Sequence, residues 1–301
     1  MTLTPTPPTV APPPPRPIPA APTGAIALMI GAVLCFSGMD ASVKAVTPEL
    51  GTLPALWARY AGQMLFVLVL VAPRLRQVAQ TRYLPLHLGR SVLLMSATFF
   101  FFSGLAHIEL AEAAAVMNIN PMLIALGATL FLGEPMGRRR LIAIAVALVG
   151  ALLIIRPGTG AFTPAALLPL AAAICFAAYT LLTRRVGADE DVWTSLFYTG
   201  LVGSLLLSVA IPFVWVAPGP REAVQMAMIA GFGTLGQLLL IRALSAAQAG
   251  LLAPFNYLGL VFATLWGVSF FGEVPDALTL LGALVIAATG LYVWHRERQR
   301  R

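Results

Sequence analysis

The stretch that decides the fold is AEAAAVMNINPMLIALGATLFLGE, residues 111–134, which is almost wholly apolar yet holds two asparagines and a proline in its middle. A second stretch, residues 246–273, reads AAQAGLLAPFNYLGLVFATLWGVSFFGE. It also opens on small residues, is broken by a proline and an asparagine, and closes on Gly-Glu. The closing residues, Glu134 and Glu273, lie 139 positions apart in a chain of 301 residues. This spacing indicates two copies of one unit.

The composition places the chain in a lipid bilayer. Fifty-nine per cent of its residues are hydrophobic and 10% are charged, whereas soluble domains have about 25% charged residues. The mean hydropathy is +0.87. The net charge of +7 comes from short basic clusters between apolar runs, which favours loops at an anionic membrane surface over a nucleic-acid partner.

Ten apolar runs follow one another after the first 23 residues, each of about 20 residues, enough for a helix to cross a hydrocarbon core of roughly 30 Å. The sequence therefore predicts an all-α integral membrane protein. The predicted spans are 24–46, 52–72, 86–106, 110–132, 138–156, 163–183, 191–216, 222–242, 247–271 and 276–294.

The distribution of lysine and arginine predicts the orientation. With the amino end in the cytoplasm, fifteen of the 19 basic residues fall on the inner side, as the positive-inside rule requires. Both termini are therefore expected in the cytoplasm of a multi-pass inner-membrane protein. Five spans per half is an odd number, so the second copy enters the membrane from the opposite side. The predicted fold is ten transmembrane helices in two inverted five-helix repeats, with a substrate site near mid-membrane.

The domain boundaries follow from this pattern. Residues 1–22 contain ten of the 24 prolines, which predicts a disordered cytoplasmic tail. The first repeat is expected at 23–157 and the second at 158–296, followed by a basic cytoplasmic tail at 297–301.

The chain resembles the EamA-type ten-helix members of the drug/metabolite transporter superfamily. The resemblance rests on the run 111–134, its partner ending FGEVP at 271–275, and the spans that follow, which end GALLIIRP at 150–157 and GLY at 290–292. It covers 24–296. It implies a central cavity lined mainly by spans 1–4 and 6–9.

The resemblance also implies a class of cargo. Members of this family move amino acids, vitamins, nucleotide-like cofactors and related metabolites, and many bacterial members are exporters of the inner membrane. The stretches CFSGMDASVKAV at 35–46 and LWARYAGQ at 56–63 look like those of a branch that includes vitamin and S-adenosylmethionine carriers. Metallophore exporters also occur among similar proteins.

Three ionisable residues within the spans are the first site candidates, because charges inside a membrane are costly and mark a pathway. Asp40 and Lys44 stand at i and i+4 on one helix face. Asp40 could hold a substrate amine or a proton and Lys44 a carboxylate, or the two could form an ion pair with Lys44 reaching the surface. Arg59 could clamp a carboxylate or phosphate in bidentate fashion, or tie to Asp40 or to a carbonyl. This set favours a zwitterionic or carboxylate-bearing substrate over a simple cation.

Polar residues at the two broken helices are further candidates for substrate binding. Asn118 and Asn120 interrupt span 4, and Asn256 and Tyr257 interrupt span 9. Freed carbonyls and amides at such breaks can face a cavity, or the side chains can satisfy neighbouring helices. Tyr179 is equivalent to Asp40 under the shift of 139 positions, and its ring could stack on a ring-bearing substrate.

Several classes of chemistry lack a signal in the sequence. The three histidines have no metal-ligand spacing, the two cysteines fall in apolar runs, and nothing resembles a nucleotide-binding glycine loop. No cofactor or metal is therefore expected. An intramembrane enzyme would need clustered His, Asp or Glu in the spans, so this class is disfavoured. Glu134 and Glu273 are predicted to bond backbone or arginine at the closure of each repeat.

The sequence thus predicts a secondary transporter of a small polar metabolite, such as an amino-acid derivative or a metallophore, working by alternating access. Export is favoured, and coupling could use a proton at Asp40 or Glu109, or exchange. The alternative is an uptake carrier for a vitamin or nucleoside-like cofactor of the riboflavin or S-adenosylmethionine type.

Overall fold

A computed structural model describes residues 23–132, 138–158, 163–186, 191–247 and 252–300. The predicted proline-rich tail and the glutamate that closes the first repeat lie outside this part of the chain. All regular secondary structure in the described residues is helical, in agreement with the predicted all-α class.

The α-helices of the described residues are α1 (Thr23–Leu50), α2 (Thr52–Val71), α3 (Leu75–Val78), α4 (Leu84–Leu105), α5 (Leu110–Met117), α6 (Asn120–Leu132), α7 (Arg138–Ile155), α8 (Leu168–Val186), α9 (Val192–Ala210), α10 (Pro220–Ala246), α11 (Leu258–Trp266) and α12 (Ala277–Arg300). Short 3₁₀ segments precede α3, α8 and α11 and follow α9, and a π-helical turn at Gly267–Phe271 follows α11.

These helices match the predicted spans. Nine segments of the described chain are long and apolar enough to cross a membrane, and α7 supplies a shorter apolar helix at 141–155. The predicted ends are wrong by a few residues in several helices, most of them by extending too little. Helix α1 continues to Leu50, α10 occupies Pro220–Ala246, and α12 extends to Arg300, because hydropathy marks the apolar part of a helix and not its polar ends.

Proline restarts the helix at both predicted breaks. Helix α5 stops at Met117, and Pro121 is the second residue of α6, where its missing N–H needs no partner. Pro254 likewise opens the 3₁₀ segment before α11. The ninth span ends in the π-turn and then Gly272, whose φ of 67° suits glycine.

The helix pairing has the pseudo-symmetry of two repeats. Helix α1 packs on α10, and α8, its equivalent under the shift of 139, packs on α4, the equivalent of α10. The same shift relates the contact of α2 with α10 to that of α9 with α4. Helices α2 and α9 pack on each other, as do α7 and α12. The fold is therefore the ten-helix arrangement of two inverted repeats that the sequence predicts.

Close glycine contacts hold the two halves together. At Gly203 of α9, an added β-carbon would lie 2.4 Å from the ring of Tyr60 on α2. At the crossing of α7 and α12, a β-carbon on Gly282 would lie 2.6 Å from the carbonyl oxygen of Gly150. Small residues let membrane helices approach closely, and packing of this kind stabilises helix association in lipid.

Helices α7 and α12 are also tied at the side of the bundle opposite the termini, here called the far side. Arg156, at the end of α7, donates to both carboxylate oxygens of Asp276. The hydrogen bond from Arg156 lowers the pKa of Asp276 to about 2. Since an unfolded aspartate titrates near pH 4, the stabilisation is present above about pH 4 and is lost as the pH falls through about 2. Asp276 is half exposed, so this contribution is small.

We predict that Gly203→Ala lowers the thermal unfolding midpoint of the protein in detergent. The new methyl group would overlap a wholly buried ring, and overpacking of this kind costs about 1–3 kcal/mol. The matched control is Gly231→Ala on α10, where a β-carbon meets nothing within 4 Å and alanine favours the helix. Equal midpoints for the two variants would contradict the close α2–α9 contact.

Candidate functional site

Asp40 and Arg59 lie on neighbouring helices, within electrostatic range of each other. Asp40 projects from α1 about ten residues before its far-side end, and Arg59 lies about two turns into α2. Both side chains are half-buried, and the positive charge of Arg59 acts on the carboxylate of Asp40. Two of the predicted site residues therefore share one region between the first two spans.

Neither charged group is satisfied by hydrogen bonds within the part of the chain that the structure describes. Asp40 accepts no hydrogen bond there. Arg59 donates none, and its guanidinium instead lies 5.6 Å from the ring centroid of Tyr60 and 5.8 Å from that of Phe102. Since buried polar groups in folded proteins are nearly always paired, these two leave hydrogen-bonding capacity for a ligand.

Tyr60 packs against Arg59 in this region. Its side chain is wholly buried, and its hydroxyl lies 3.2 Å from the hydroxyl oxygen of Thr98 on α4. The sequence reasoning missed Tyr60, although its position next to Arg59 on the same helix was a signal.

Lys44 lies in a different environment from Asp40, and the predicted alternative of an Asp40–Lys44 ion pair is wrong. Its ammonium nitrogen is 2.7 Å from Oε1 of Glu273 and donates to the carbonyl oxygen of Ile108. The other oxygen of Glu273 accepts from the backbone N–H of Leu110 at 2.9 Å. Lysine reaches this partner because the end of the ninth span folds back to the far-side end of α1.

The pair Lys44–Glu273, here called the far-side latch, joins three parts of the chain. It links α1, the turn between α4 and α5, and the segment after the π-turn. The two side chains are only 12% and 19% exposed, so the pair is poorly screened by water. The prediction that Glu273 has a structural bonding role is consistent with these contacts. A substrate-binding role for Lys44 stays a prediction.

Tyr179 lies on α8 beside a buried arginine of α4. Arg90, on α4, donates to the hydroxyl of Tyr179 at 3.3 Å and to that of Ser195, on α9, at 2.8 Å. Its guanidinium lies 5.3 Å from the centroid of the Tyr179 ring. Arg90 is only 3% exposed. The signal that could have revealed it is its position inside the predicted span 86–106.

The asparagines of the fourth span lie at the helix break. Asn120 is buried, and its amide donates to the carbonyl oxygen of Ala173 on α8 at 3.1 Å. Its own amide oxygen has no partner among the described residues. Asn118 is half-buried and caps α5 through its backbone N–H. Asn120 therefore connects the two halves directly, and substrate binding by either residue stays a prediction.

The polar residues of the ninth span are placed differently from those of the fourth. Asn256 is exposed. The half-buried ring of Tyr257 packs on Gly290 of α12, where its hydroxyl takes the place that a β-carbon would occupy. This contact explains why α12 has glycine there. A binding role for Asn256 and Tyr257 stays a prediction.

The comparison with protein families agrees with this architecture. The model of the EamA-like transporter family matches residues 23–156 and again 163–294, one match for each half of the bundle. The chain belongs to the EamA-like transporter family. It is therefore a multi-pass membrane protein in a family of transporters, and the alternative of an intramembrane enzyme is not supported.

Several named transporters are similar to this chain over most of their length. A pseudopaline exporter of Pseudomonas aeruginosa is 33% identical over 267 residues, covering 87% of this chain and 92% of the exporter. A riboflavin transporter of Rhizobium johnstonii is 30% identical and covers 90% and 91%. An S-adenosylmethionine uptake transporter of Rickettsia bellii is 27% identical and covers 71% and 73%.

A solved crystal structure shares the fold with a TM-score of 0.63 at 20% sequence identity, covering 91% of this chain and 98% of that one. Within the described residues, no three His, Cys, Asp or Glu side chains lie close enough to hold a metal ion. The relatives act on small molecules, so a small-molecule substrate is expected here.

We predict a measurable coupling energy across the far-side latch. In a double-mutant cycle of Lys44→Met and Glu273→Gln, followed by thermal unfolding in detergent, the coupling should be about 0.5–3 kcal/mol, because each single change leaves a poorly solvated partner. The control pair is Arg156→Gln with Asp276→Asn, whose exposed acid should give no more than about 1 kcal/mol. Additive effects of the Lys44 and Glu273 changes would contradict the latch.

Proposed function

We propose that this protein is a secondary transporter that exports a small zwitterionic or carboxylate-bearing metabolite by alternating access. An amino-acid derivative or a metallophore fits this class. The observation that carries the proposal is the pair Asp40 and Arg59, which lie within electrostatic range of each other, are half-buried and have no hydrogen-bond partners among the described residues.

The chemistry of this pair fits a zwitterion. The carboxylate of Asp40 can accept from a substrate amine, and the guanidinium of Arg59 can donate two parallel bonds to a substrate carboxylate. Each charge costs about 2.5–3.5 kcal/mol at the centre of a membrane helix. A scaffold without cargo would lose nothing by replacing both with apolar residues, which favours a binding role.

The far-side latch supports alternating access. A carrier must close one side of its site before the other opens, and Lys44–Glu273 ties the far-side ends of the two halves together. Exposure of the site on that side requires this pair to separate. With both termini in the cytoplasm, as the basic residues favour, the far side faces the outside of the inner membrane.

The repeat boundaries belong to the same proposal. The two repeats at 23–157 and 158–296 would rock against each other around the site. The family matches begin at residue 23 and residue 163. The tail at 1–22 precedes the first match, and we assign it no part in transport.

Uptake of a vitamin or nucleoside-like cofactor is the second candidate, favoured by the similarity to riboflavin and S-adenosylmethionine transporters. The pseudopaline exporter is similar over a comparable share of the chain, so similarity alone does not decide the direction. The Asp40–Arg59 pair favours a substrate with both charges over a neutral ring system.

A proton is the coupling ion we propose, held by Asp40 or Glu109. Glu109 lies on the far side at the start of α5, where burial, with Glu273 and Asp276 nearby, raises its pKa. A raised pKa keeps the carboxyl protonated to higher pH, so it can bind and release a proton closer to neutrality. Loss of pH-gradient dependence in Glu109→Gln, and its persistence in Asp40→Asn, would assign the proton to Glu109.

The test of function is solute flux in proteoliposomes. Vesicles with and without the protein are loaded with a mixed panel of amino acids, aminopolycarboxylates, riboflavin and S-adenosylmethionine, and the released solutes are measured by mass spectrometry. We expect release of a zwitterionic or carboxylate-bearing member. Flux of riboflavin or S-adenosylmethionine alone would favour the second candidate, and no flux from folded protein would contradict a carrier.

We predict that Asp40→Asn reduces transport at least tenfold while the protein still reaches the membrane, because the amide cannot neutralise a substrate amine. The control on the same helix is Glu49→Gln, an exposed acid at the far-side end of α1, which should transport normally. Unchanged flux in Asp40→Asn would remove this residue from the site.

We predict that Arg59→Lys raises KM more than it lowers kcat, because lysine keeps the charge and loses the planar fork that binds a carboxylate. Arg221→Lys, an exposed arginine at the start of α10, is the matched control. Wild-type KM in Arg59→Lys would show that any cation suffices at this position.

A further inference from the structure

Arg90 is a buried positive charge that has no negative partner among the described residues. Its contacts are the hydroxyls of Ser195 and Tyr179 and the face of the tyrosine ring. In the part of the chain that the structure describes, no carboxylate comes within ion-pair distance of it, and its Nε is buried without a hydrogen bond. Burying a guanidinium without an anion is costly, so a purely structural role explains this arrangement poorly.

The remaining hydrogen-bond donors of this group suit an anion. A guanidinium has five N–H donors, and only two of those of Arg90 are engaged here. Because the hydroxyls of Ser195 and Tyr179 accept from Arg90, each keeps its own hydrogen to donate. Three helices, α4, α8 and α9, thus bring together hydrogen-bond donors that exceed the acceptors offered to them by the described residues.

The position of Arg90 connects it to the Asp40–Arg59 pair. Thr98, which bonds Tyr60, is eight residues from Arg90 on α4, or about 12 Å along the helix axis. Tyr60 and Tyr179 are also within electrostatic range of each other. Arg90 is therefore linked to Arg59 through Tyr60 and Tyr179, and it lies nearer to the side of the termini. The series of residues from Asp40 and Arg59 to Arg90 is here called the path.

We propose that Arg90, Tyr179 and Ser195 form an anion subsite that binds a carboxylate or phosphate group of the transported solute. The inference rests on the proposed transport function and restricts the class of solute that the protein would transport. The path has two guanidinium groups, Arg59 and Arg90, and one carboxylate, Asp40. A complementary solute has more acidic than basic groups.

The competing role is a structural tie between α4, α8 and α9. The two roles differ in what removal of the charge does to the unliganded protein. Loss of a tie lowers the thermal unfolding midpoint. Loss of an uncompensated buried charge leaves the midpoint unchanged or raises it, since sites built for ligands commonly reduce stability.

The experiment measures thermal unfolding of the purified protein in detergent against increasing L-glutamate, citrate or inorganic phosphate, with chloride at matched ionic strength. We expect at least one of the three anions to raise the midpoint saturably in the wild type. Arg90→Gln should weaken that binding at least tenfold, and Arg90→Lys should weaken it less. The control is Arg242→Gln, an exposed arginine at the same side of the bundle, which should retain the full effect.

The outcomes separate the alternatives. A rise with glutamate or citrate assigns a carboxylate subsite, and a rise with phosphate alone assigns a phosphate subsite. The inference is overturned if no anion raises the wild-type midpoint, or if Arg90→Gln keeps the full rise. A lower midpoint in Arg90→Gln with the rise intact would establish the structural tie. If Arg90→Gln does not fold, Tyr179→Phe is used instead, because it removes one hydroxyl of the subsite. It should then reduce the anion-dependent rise of the midpoint.

This measurement is independent of the flux experiment. Anion stabilisation that depends on Arg90 without any solute flux would contradict the transport proposal and leave the subsite. Flux of a solute that is equally fast in the wild type and in Arg90→Gln, with no anion stabilisation, would contradict the subsite and leave the transporter.

Discussion

The cost of an uncompensated charge in a membrane governs the interior of this protein. Lys44 meets this constraint through Glu273 and backbone carbonyls, and the pair ties α1 to the segment after the π-turn. Asp40, Arg59 and Arg90 do not meet it within the described residues. Because hydrocarbon offers no water to complete such groups, the unsatisfied charges support the proposed binding path more strongly than any single motif does.

A symmetric scaffold can hold an asymmetric site because packing and charge depend on different residues. The helix pairing repeats under the shift of 139, and glycines such as Gly203 set the close approach. The polar residues do not repeat, since Tyr179 takes the position of Asp40 and Thr183 that of Lys44. The two halves therefore have equivalent helix packing, but only the first half contains the charged pair Asp40 and Arg59.

The fold was predictable because each of its signals can be read within a single span or loop. These signals are the hydropathy, the distribution of basic residues and the Gly-Glu ending that recurs after 139 positions. The partner of Lys44 could not be predicted in this way. Asp40 is near Lys44 in sequence, whereas Glu273 comes near it only because the end of the ninth span folds back. Arg90 was hidden by its closeness to the polar end of its span. Which charges meet depends on helix rotation and packing, and a single sequence does not encode these in a local pattern.

The magnitudes connect the latch to the cargo. In the proposed transport cycle the Lys44–Glu273 pair separates, at a cost of about 0.5–3 kcal/mol for contacts of this kind. A ligand shifts a conformational equilibrium only by the difference in its affinity for the two states. One hydrogen bond to a charged group contributes about 1.5–3 kcal/mol, so a single substrate carboxylate that is better held in the opened state can offset the latch. A solute with two such groups, one at Arg59 and one at Arg90, exceeds that requirement, which favours a multiply acidic cargo over a simple zwitterion.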